Sequence, residues 1–381
     1  MYTLDKKVID YLDNSLDETF ARLEELAKIP APSGKEELRV EFVKNWLIKN
    51  GAKNVIVDDA LNVVCPIDCE NKNEIVVFMA HTDLVFPDTT PLPYSEDEEY
   101  IYCPGIGDDT ACLNSMLTVL KYVLQNNLTS KRGILFVANS CEEGLGNLKG
   151  IRQIMKDYAN RISTVYTFDG SYTHLVNKCV GSHRYEVTFE TEGGHSFGAF
   201  GNRNAIFAMS DLICNLYNCK VPEKESAKTT YNVGIVEGGT SVNTIAQKAT
   251  MLYEYRSDDK DCLQYMQNFF NEQVEKARKK GLAEITTRLI GDRPCGKNVD
   301  QKALDYITNL AVNISEKYSG VKCHINSGST DANIPMSLGV PSVCVGSHVA
   351  FGAHTREEKL LKSSIPIGLK IIAELVLNYF E

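Results

Sequence analysis

"EIVVFMAHTD" (residues 74–83) sets six apolar residues, Ile75 to Ala80, directly against His81, with the carboxylate of Asp83 two positions on. A continuous apolar run of this length reads as a strand buried on both faces, the kind found in parallel sheets covered by helices. Its polar end has two readings. It is either a solvated loop, or a histidine that binds something and an acid that holds it in place.

The flanking segments support the buried sheet. Upstream, "LDETFARLEELAKI" and "KEELRVEFVKNWLIKN" carry apolar residues at about the 3.6-residue spacing of helices, separated by "PAPSG". "NVIV" and "NVVCPI" are short strand candidates. Downstream, "DTACLNSMLTVLKYVLQNN" reads as a helix that Asp109 or Thr110 could cap. "RGILFVANS" reads as a strand, "LKGIRQIMKDYAN" as a helix and "STVYTF" as another strand. Strands alternating with helices predict an α/β domain with a parallel-rich sheet and helices on both faces.

Near Gly181 the pattern changes. "HRYEVTFET" alternates as a half-exposed strand should, and the segments after it read β-α-β-β-α-β in total, the ferredoxin-like α+β order. After "GDRPCGKN" the α/β pattern resumes with a helix, "KCHINS", "VPSVCVG" and a final helix. The expected organisation is a large domain in two parts, residues 1–180 and 293–381, with a small domain, 181–292, inserted.

Composition narrows the function. The 381 residues are 43% hydrophobic and 24% charged, which is ordinary for a globular chain. A net charge of −10 argues against nucleic acid or an anionic membrane as partner. "MYTLDKKVIDYLDNS" lacks a signal-peptide core, and "IPIGLKIIAELVLNYF" carries Lys370 and Glu374 and is too short to span a bilayer. The 12 cysteines form no C-x-x-C pair, and most lie in apolar runs. They read as reduced, buried side chains of a cytoplasmic protein.

In parallel sheets, ligands bind beyond the carboxyl ends of the strands. Here those ends carry His81-Thr82-Asp83, Glu142-Glu143 and Asp169-Gly170, and "VPSVCVG" leads to His348 and His354. "GIGDDTA" adds Asp108 and Asp109. Acids converging on one crevice repel and raise one another's pKa unless a cation compensates. Lys and Arg are nearly absent from these ends. Two histidines among the acids point to zinc, with cobalt or manganese also suited, rather than to calcium or magnesium. The ligands exceed one tetrahedral shell, so two ions sharing a carboxylate would use them fully. Asp83 lies two residues from His81 on the same side and could fix its tautomer. Of Glu142 and Glu143, one could ligate while the other serves as general base.

"AHTD", "GIGDDTAC", "SCEEG", "FDG" and "AHT", in this order, resemble the motifs of the co-catalytic zinc metallopeptidases, the family of peptidase T, carboxypeptidase G, aminoacylase and acetylornithine deacetylase. "GGHSFGAFGNRNAI", "GGTSVNTIAQKATMLYEYRS" and "SGSTDANIPMSLGVPSVCVG" add further matches, so the resemblance spans nearly the whole chain. It implies that Asp108 bridges two Zn2+ ions, that His81 and Asp169 complete one shell, and that Glu143 and His354 complete the other. It implies Glu142 as the base acting on a metal-bridging hydroxide, Asp83 as the orienter of His81, and a cis Asp108–Asp109 peptide. The family's "HT" favours His354 over His348. The inserted domain resembles a lid through which relatives dimerise, with His195 steadying the oxyanion. Asn243, Arg256 and Gly328 fall where relatives contact substrate, although a structural ion pair also fits Arg256. The implied activity is cleavage of small peptides, closest in character to peptidase T. The alternative is deacylation of N-acyl amino acids at the same site. A scaffold protein that had lost catalysis would show a damaged ligand set, and this set is intact. Thr110-Ala111-Cys112 and Phe197 depart from the usual family residues, which bears on substrate identity rather than on metal binding.

Overall fold

The computed structural model describes residues 2–381. Two compact units emerge: the chain up to Cys179 together with Gly296–Glu381, and Val180–Cys295 between them. The second boundary falls three residues later than the expected 292. The last strand of the inserted unit runs through Arg293, which pairs with Ser182.

The larger unit is built on an eight-stranded sheet. In chain order its strands are β1 (Ile56–Val57), β2 (Val63–Ile67), β3 (Ile75–His81), β4 (Gly133–Asn139), β5 (Ile162–Phe168), β6 (His174–Cys179), β7 (His324–Gly328) and β8 (Ser342–Val345). Their spatial order is β1-β2-β4-β3-β5-β8-β6-β7. The central β4, β3, β5 and β8 are mutually parallel, whereas β2 pairs antiparallel with β4 and β6 antiparallel with β8. The sheet is therefore mixed at its margins and parallel where the site is built. Every residue of β3 and β4 is buried. Phe78 on β3 faces Phe136 and Tyr166 in register, with ring centroids 5.6 and 5.4 Å apart. This aromatic row locks the strand register, since a one-residue slip would turn each ring to the opposite face.

One face packs on helices Leu16–Lys28, Glu37–Lys49, Cys112–Gln125, Gln301–Ser319 and Ile365–Leu377; the other packs on Lys149–Asp157. The helix after "GIGDD" starts at Cys112, and neither expected cap serves it. Asp109 instead accepts the His81 N–H at 3.1 Å, and Thr110 donates to the Gly105 carbonyl. Features the sequence reading does not contain include the strand His174–Cys179 and a small antiparallel sheet of Ser95–Glu96, Tyr100–Tyr102, Lys359–Leu361 and Ala350–Phe351.

The inserted unit is a four-stranded antiparallel sheet in the order Thr229–Gly238, Lys248–Ser257, Gly181–Glu190, Glu284–Arg293. Helices Ala205–Tyr217 and Lys260–Lys280 cover one face. Asn204 and Asp259 cap them, each accepting two backbone N–H groups. Strand Lys248–Ser257 alternates buried with less buried positions, as its sequence demands. Among the described residues, no helix is long and apolar enough to cross a membrane.

Candidate metal centre

The carboxyl ends of β3, β4 and β5 deliver His81, the Glu142–Glu143 turn and Asp169 to one side of the sheet. Asp108 arrives on the turn Ile106–Ala111, through a cis Asp108–Asp109 peptide. His354 comes from the loop between two strands of the small sheet, at φ 63°.

Asp108 holds the centre together. Its Oδ1 lies 3.1 Å from His81 Nε2 and its Oδ2 lies 3.0 Å from His354 Nε2. His354 Nε2 is also 3.2 Å from Glu143 Oε1. Ligating atoms of His81, Asp108 and Asp169 fall within 4.8 Å of one another, as do those of Asp108, Glu143 and His354. A third such group is His81, Glu142 and Glu143. Ligands about 2.0–2.1 Å from a tetrahedral ion stand about 3.3 Å apart, so these separations fit a metal shell. One carboxylate with an oxygen toward each histidine is the arrangement that two ions would share. All five expected ligands meet here, together with Glu142.

Asp83 does more than the orienting role expected of it. The His81 Nδ1 lies 3.1 Å from the Asp83 backbone carbonyl and 3.4 Å from its carboxylate. The carboxylate itself accepts the N–H groups of Glu142 and Glu143, each at 2.9 Å, and the Ser33 hydroxyl at 2.6 Å. It therefore fixes the turn that carries Glu142 and Glu143. A second buried acid, Glu36, accepts the N–H groups of Gly34 and Cys141. A third, Glu358, accepts those of Gly105, Gly107 and Asp108. Neither was singled out in the sequence. The available signal was weak: an acid just after "PAPSG", and an acid four residues past His354.

The electrostatics show strain that a cation would relieve. Burial, then the neighbouring Asp108, pushes the Asp169 carboxyl up to about 7. Burial also drives Asp109 well above its ordinary range. His354 is raised to about 10 by hydrogen bonds to Asp108 and Glu143. For His81, burial pulls downward, but Asp108 and Asp83 outweigh it and the ring stays well above its usual value. Both shifts mark an excess of negative charge that a bound cation would offset. His348 behaves otherwise: burial pushes it down to about 4, and its Nδ1 faces the Cys112 thiol at 3.6 Å. It is a neutral packing residue.

Lys and Arg are expected to be nearly absent from these strand ends, and one arginine lies buried beside them without belonging to any of them. Arg39 is fully buried behind the strand end, but its guanidinium donates to the Ile29 and Thr82 carbonyls rather than to a carboxylate. The sequence could not place it, since it lies on a helix 42 residues before His81 (81 minus 39).

In the inserted unit, His195 and Asn243 are brought together. Gly194–His195 pairs with Thr244–Ile245, and Ser196 donates to the Asn243 carbonyl at 3.0 Å. His195 Nδ1 accepts the N–H groups of Phe197 and Gly198, which makes Nε2 the protonated nitrogen. Arg256 is gripped by Glu254 through two bonds of 2.9 Å, so the ion pair expected as an alternative is present. Gly328 ends β7, paired with Cys179, and a Cβ there would meet Val176 at 2.8 Å.

Residues 77–378 match the family described as Peptidase family M20/M25/M40. An uncharacterized protein of Bacillus subtilis strain 168, YqjE, is 22% identical over 315 residues, 78% of this chain and 79% of that protein. A tripeptidase from Staphylococcus aureus superposes with a TM-score of 0.73 at 22% identity, over 95% of this chain and 97% of that one. The Bacillus subtilis YxeP protein, described as a dinuclear metal binding peptidase, superposes with a TM-score of 0.65 at 16% identity, over 98% and 100% of the two chains. At these identities the structural likeness establishes the fold.

Proposed function

The chain belongs to peptidase family M20/M25/M40 and is a hydrolytic enzyme, and on that premise we propose that it is a di-zinc aminopeptidase of small peptides, a tripeptidase in character. The observation that carries this reading is Asp108, with one oxygen toward His81 and the other toward His354. Asp169 flanks the first histidine and Glu143 the second. Imidazole and carboxylate donors suit zinc, and Co2+ or Mn2+ fit the same set. Bound there, two divalent ions would polarise an amide carbonyl and acidify a water.

The residues of the chain do the rest. His81 presents Nε2 to the site because its Nδ1–H donates to the Asp83 carbonyl. Glu142, held by Asp83 through its backbone N–H, takes the proton of the attacking water and returns it to the leaving amine. By the resemblance to dimeric relatives, His195 is assigned to donate Nε2–H to the oxyanion developing in the partner subunit's site. Asn243, Gly328 and Arg256 contact the substrate, and a substrate carboxylate at Arg256 would compete with Glu254.

The protein acts as a homodimer through its inserted unit. The edge strand Thr229–Gly238 has one unpaired side and exposes Ile235 and Val236, while the adjoining helix exposes Phe207 and Tyr217. An edge of this kind is ordinarily covered. Twelve cysteines, read as reduced thiols, suit a cytoplasmic setting, and the charge of −10 argues against nucleic acid or an anionic membrane as partner.

The test is a panel of free di- and tripeptides set against N-acetyl and N-succinyl amino acids, with metal content measured in parallel. Turnover of tripeptides at two ions per chain is expected. Turnover of the acylated set alone would replace the peptidase reading with a deacylase.

A further inference from the structure

The turn that carries Asp108 is held partly from outside itself. Its dihedrals leave the helical region at Asp108 (φ −105°, ψ 95°) and Asp109 (φ −120°, ψ 25°), so helical hydrogen bonds do not fix the backbone there. Beside the Thr110 hydroxyl on the Gly105 carbonyl and the His81 N–H on the Asp109 carboxylate, backbone N–H groups of the turn are gathered by one side chain. Glu358 Oε2 accepts the Gly105 N–H at 2.7 Å, and its Oε1 accepts the N–H groups of Gly107 at 2.9 Å and of Asp108 at 3.0 Å. The carboxylate is 1% exposed. Three donors on one buried acid are strong, charge-assisted bonds.

The surroundings are packed to contact. A Cβ at Gly107 would stand 2.8 Å from Glu358 Oε1 and 2.5 Å from Ala350 Cβ. The Glu358 carbonyl also accepts the Cys103 N–H at 3.2 Å, where the strands Tyr100–Tyr102 and Lys359–Leu361 of the small sheet meet. The same short segment therefore carries the ligand His354 and, four residues later, the grip on Asp108. Glu358 is in none of the three groups able to hold an ion.

We propose that Glu358 is a positioning residue for Asp108: it gathers the N–H groups of Gly105, Gly107 and Asp108 so that the two Asp108 oxygens face His81 and His354. The inference rests on the two-ion reading above. Glu358→Gln keeps the shape but turns one oxygen into a donor, which opposes at least one N–H. Co2+ titration of the apoprotein, followed by visible absorption and chelator competition, reads the site without activity.

Glu358→Gln is expected to weaken at least one Co2+ equivalent about 10- to 100-fold and to change the cobalt spectrum. On the peptide that the wild type turns over fastest, kcat should fall by a similar factor with KM within about threefold. Glu357→Gln, on the adjacent exposed acid, should change none of these. Should Glu358→Gln fail to fold, Glu358→Asp, which keeps the charge and withdraws the oxygens, must show the intermediate loss. Wild type taking up fewer than two Co2+ would overturn the two-ion reading and the clamp with it. Wild type binding two, with both variants matching it in affinity and spectrum, would overturn the clamp alone.

Discussion

Replacing Asp83 by Asn tests the idea that the base is held in place from beneath. Asp83 Oδ1 accepts the Glu142 N–H at 2.9 Å; Oδ2 accepts the Glu143 N–H at 2.9 Å and the Ser33 hydroxyl at 2.6 Å. An amide can keep only one of its two ends as an acceptor. With the carbonyl toward Glu143 and Ser33, the amide NH2 confronts the Glu142 N–H. One charge-assisted bond, worth about 1.5–3 kcal/mol, is lost, and a buried donor is orphaned. Because the two costs overlap, the loss is about 2–4 kcal/mol, or roughly 30- to 1,000-fold if it falls on the transition state. Cys141, just before the base, already sits at φ 58°, so the turn has little capacity to relax elsewhere. A shift of about 1 Å in a catalytic group is enough for a loss of about 100-fold. The assay is steady-state kinetics on the preferred tripeptide at full metal loading, with metal content measured on the same sample. The expected result is two ions bound, kcat reduced at least about 30-fold and KM within about threefold. Asp83→Asn protein with two ions and kcat within threefold of wild type would refute the reasoning.

Glu142→Gln should retain two ions and lose activity at least about 100-fold; near-native turnover would remove Glu142 from the role of base. His354→Ala should leave one tightly bound ion by elemental analysis, whereas His348→Gln should keep both, since burial holds His348 neutral with a pKa of about 4. In the inserted unit, Asp259 caps helix Lys260–Lys280, and its ion pair with Lys224 draws its carboxyl down to about 2. A depressed carboxyl contributes stability above its unfolded value of 3.8, lost as pH falls through about 2. With solvent screening, Asp259→Ala should cost about 1 kcal/mol in urea melts at pH 7 and progressively less below pH 4. An equal cost at pH 3 and pH 7 would contradict the linkage.

The features legible in the sequence were those written in periodicity and in strand ends. The run Ile75–Ala80 is the buried strand it reads as, and His81, Glu142, Glu143 and Asp169 stand at or just past the ends of β3, β4 and β5. What escaped reading acts across long chain separations. Glu358 reaches Asp108 across 250 positions and Glu36 reaches Cys141 across 105, and neither lies in an apolar pattern that would mark it. The small sheet escaped for a different reason. Its strands are two or three residues long, too short to show alternation. Spacing alone likewise could not separate His348 from His354; the difference is burial, which depends on what packs around the loop. Asp109 reads as a helix cap because Asp before an apolar helix usually is one, and the His81 N–H competes successfully for it.

The interrupted path of the chain has a consequence for biogenesis. His81, Asp108, Glu143 and Asp169 leave the ribosome before the inserted unit, and His354 only after it. Contacts of such high sequence separation form late in folding, because a long loop must close first. A nascent chain therefore carries four of the five proposed ligands before the fifth, His354, is made. On the two-ion reading, the shell that His354 completes closes only once the segment after the inserted unit has been made.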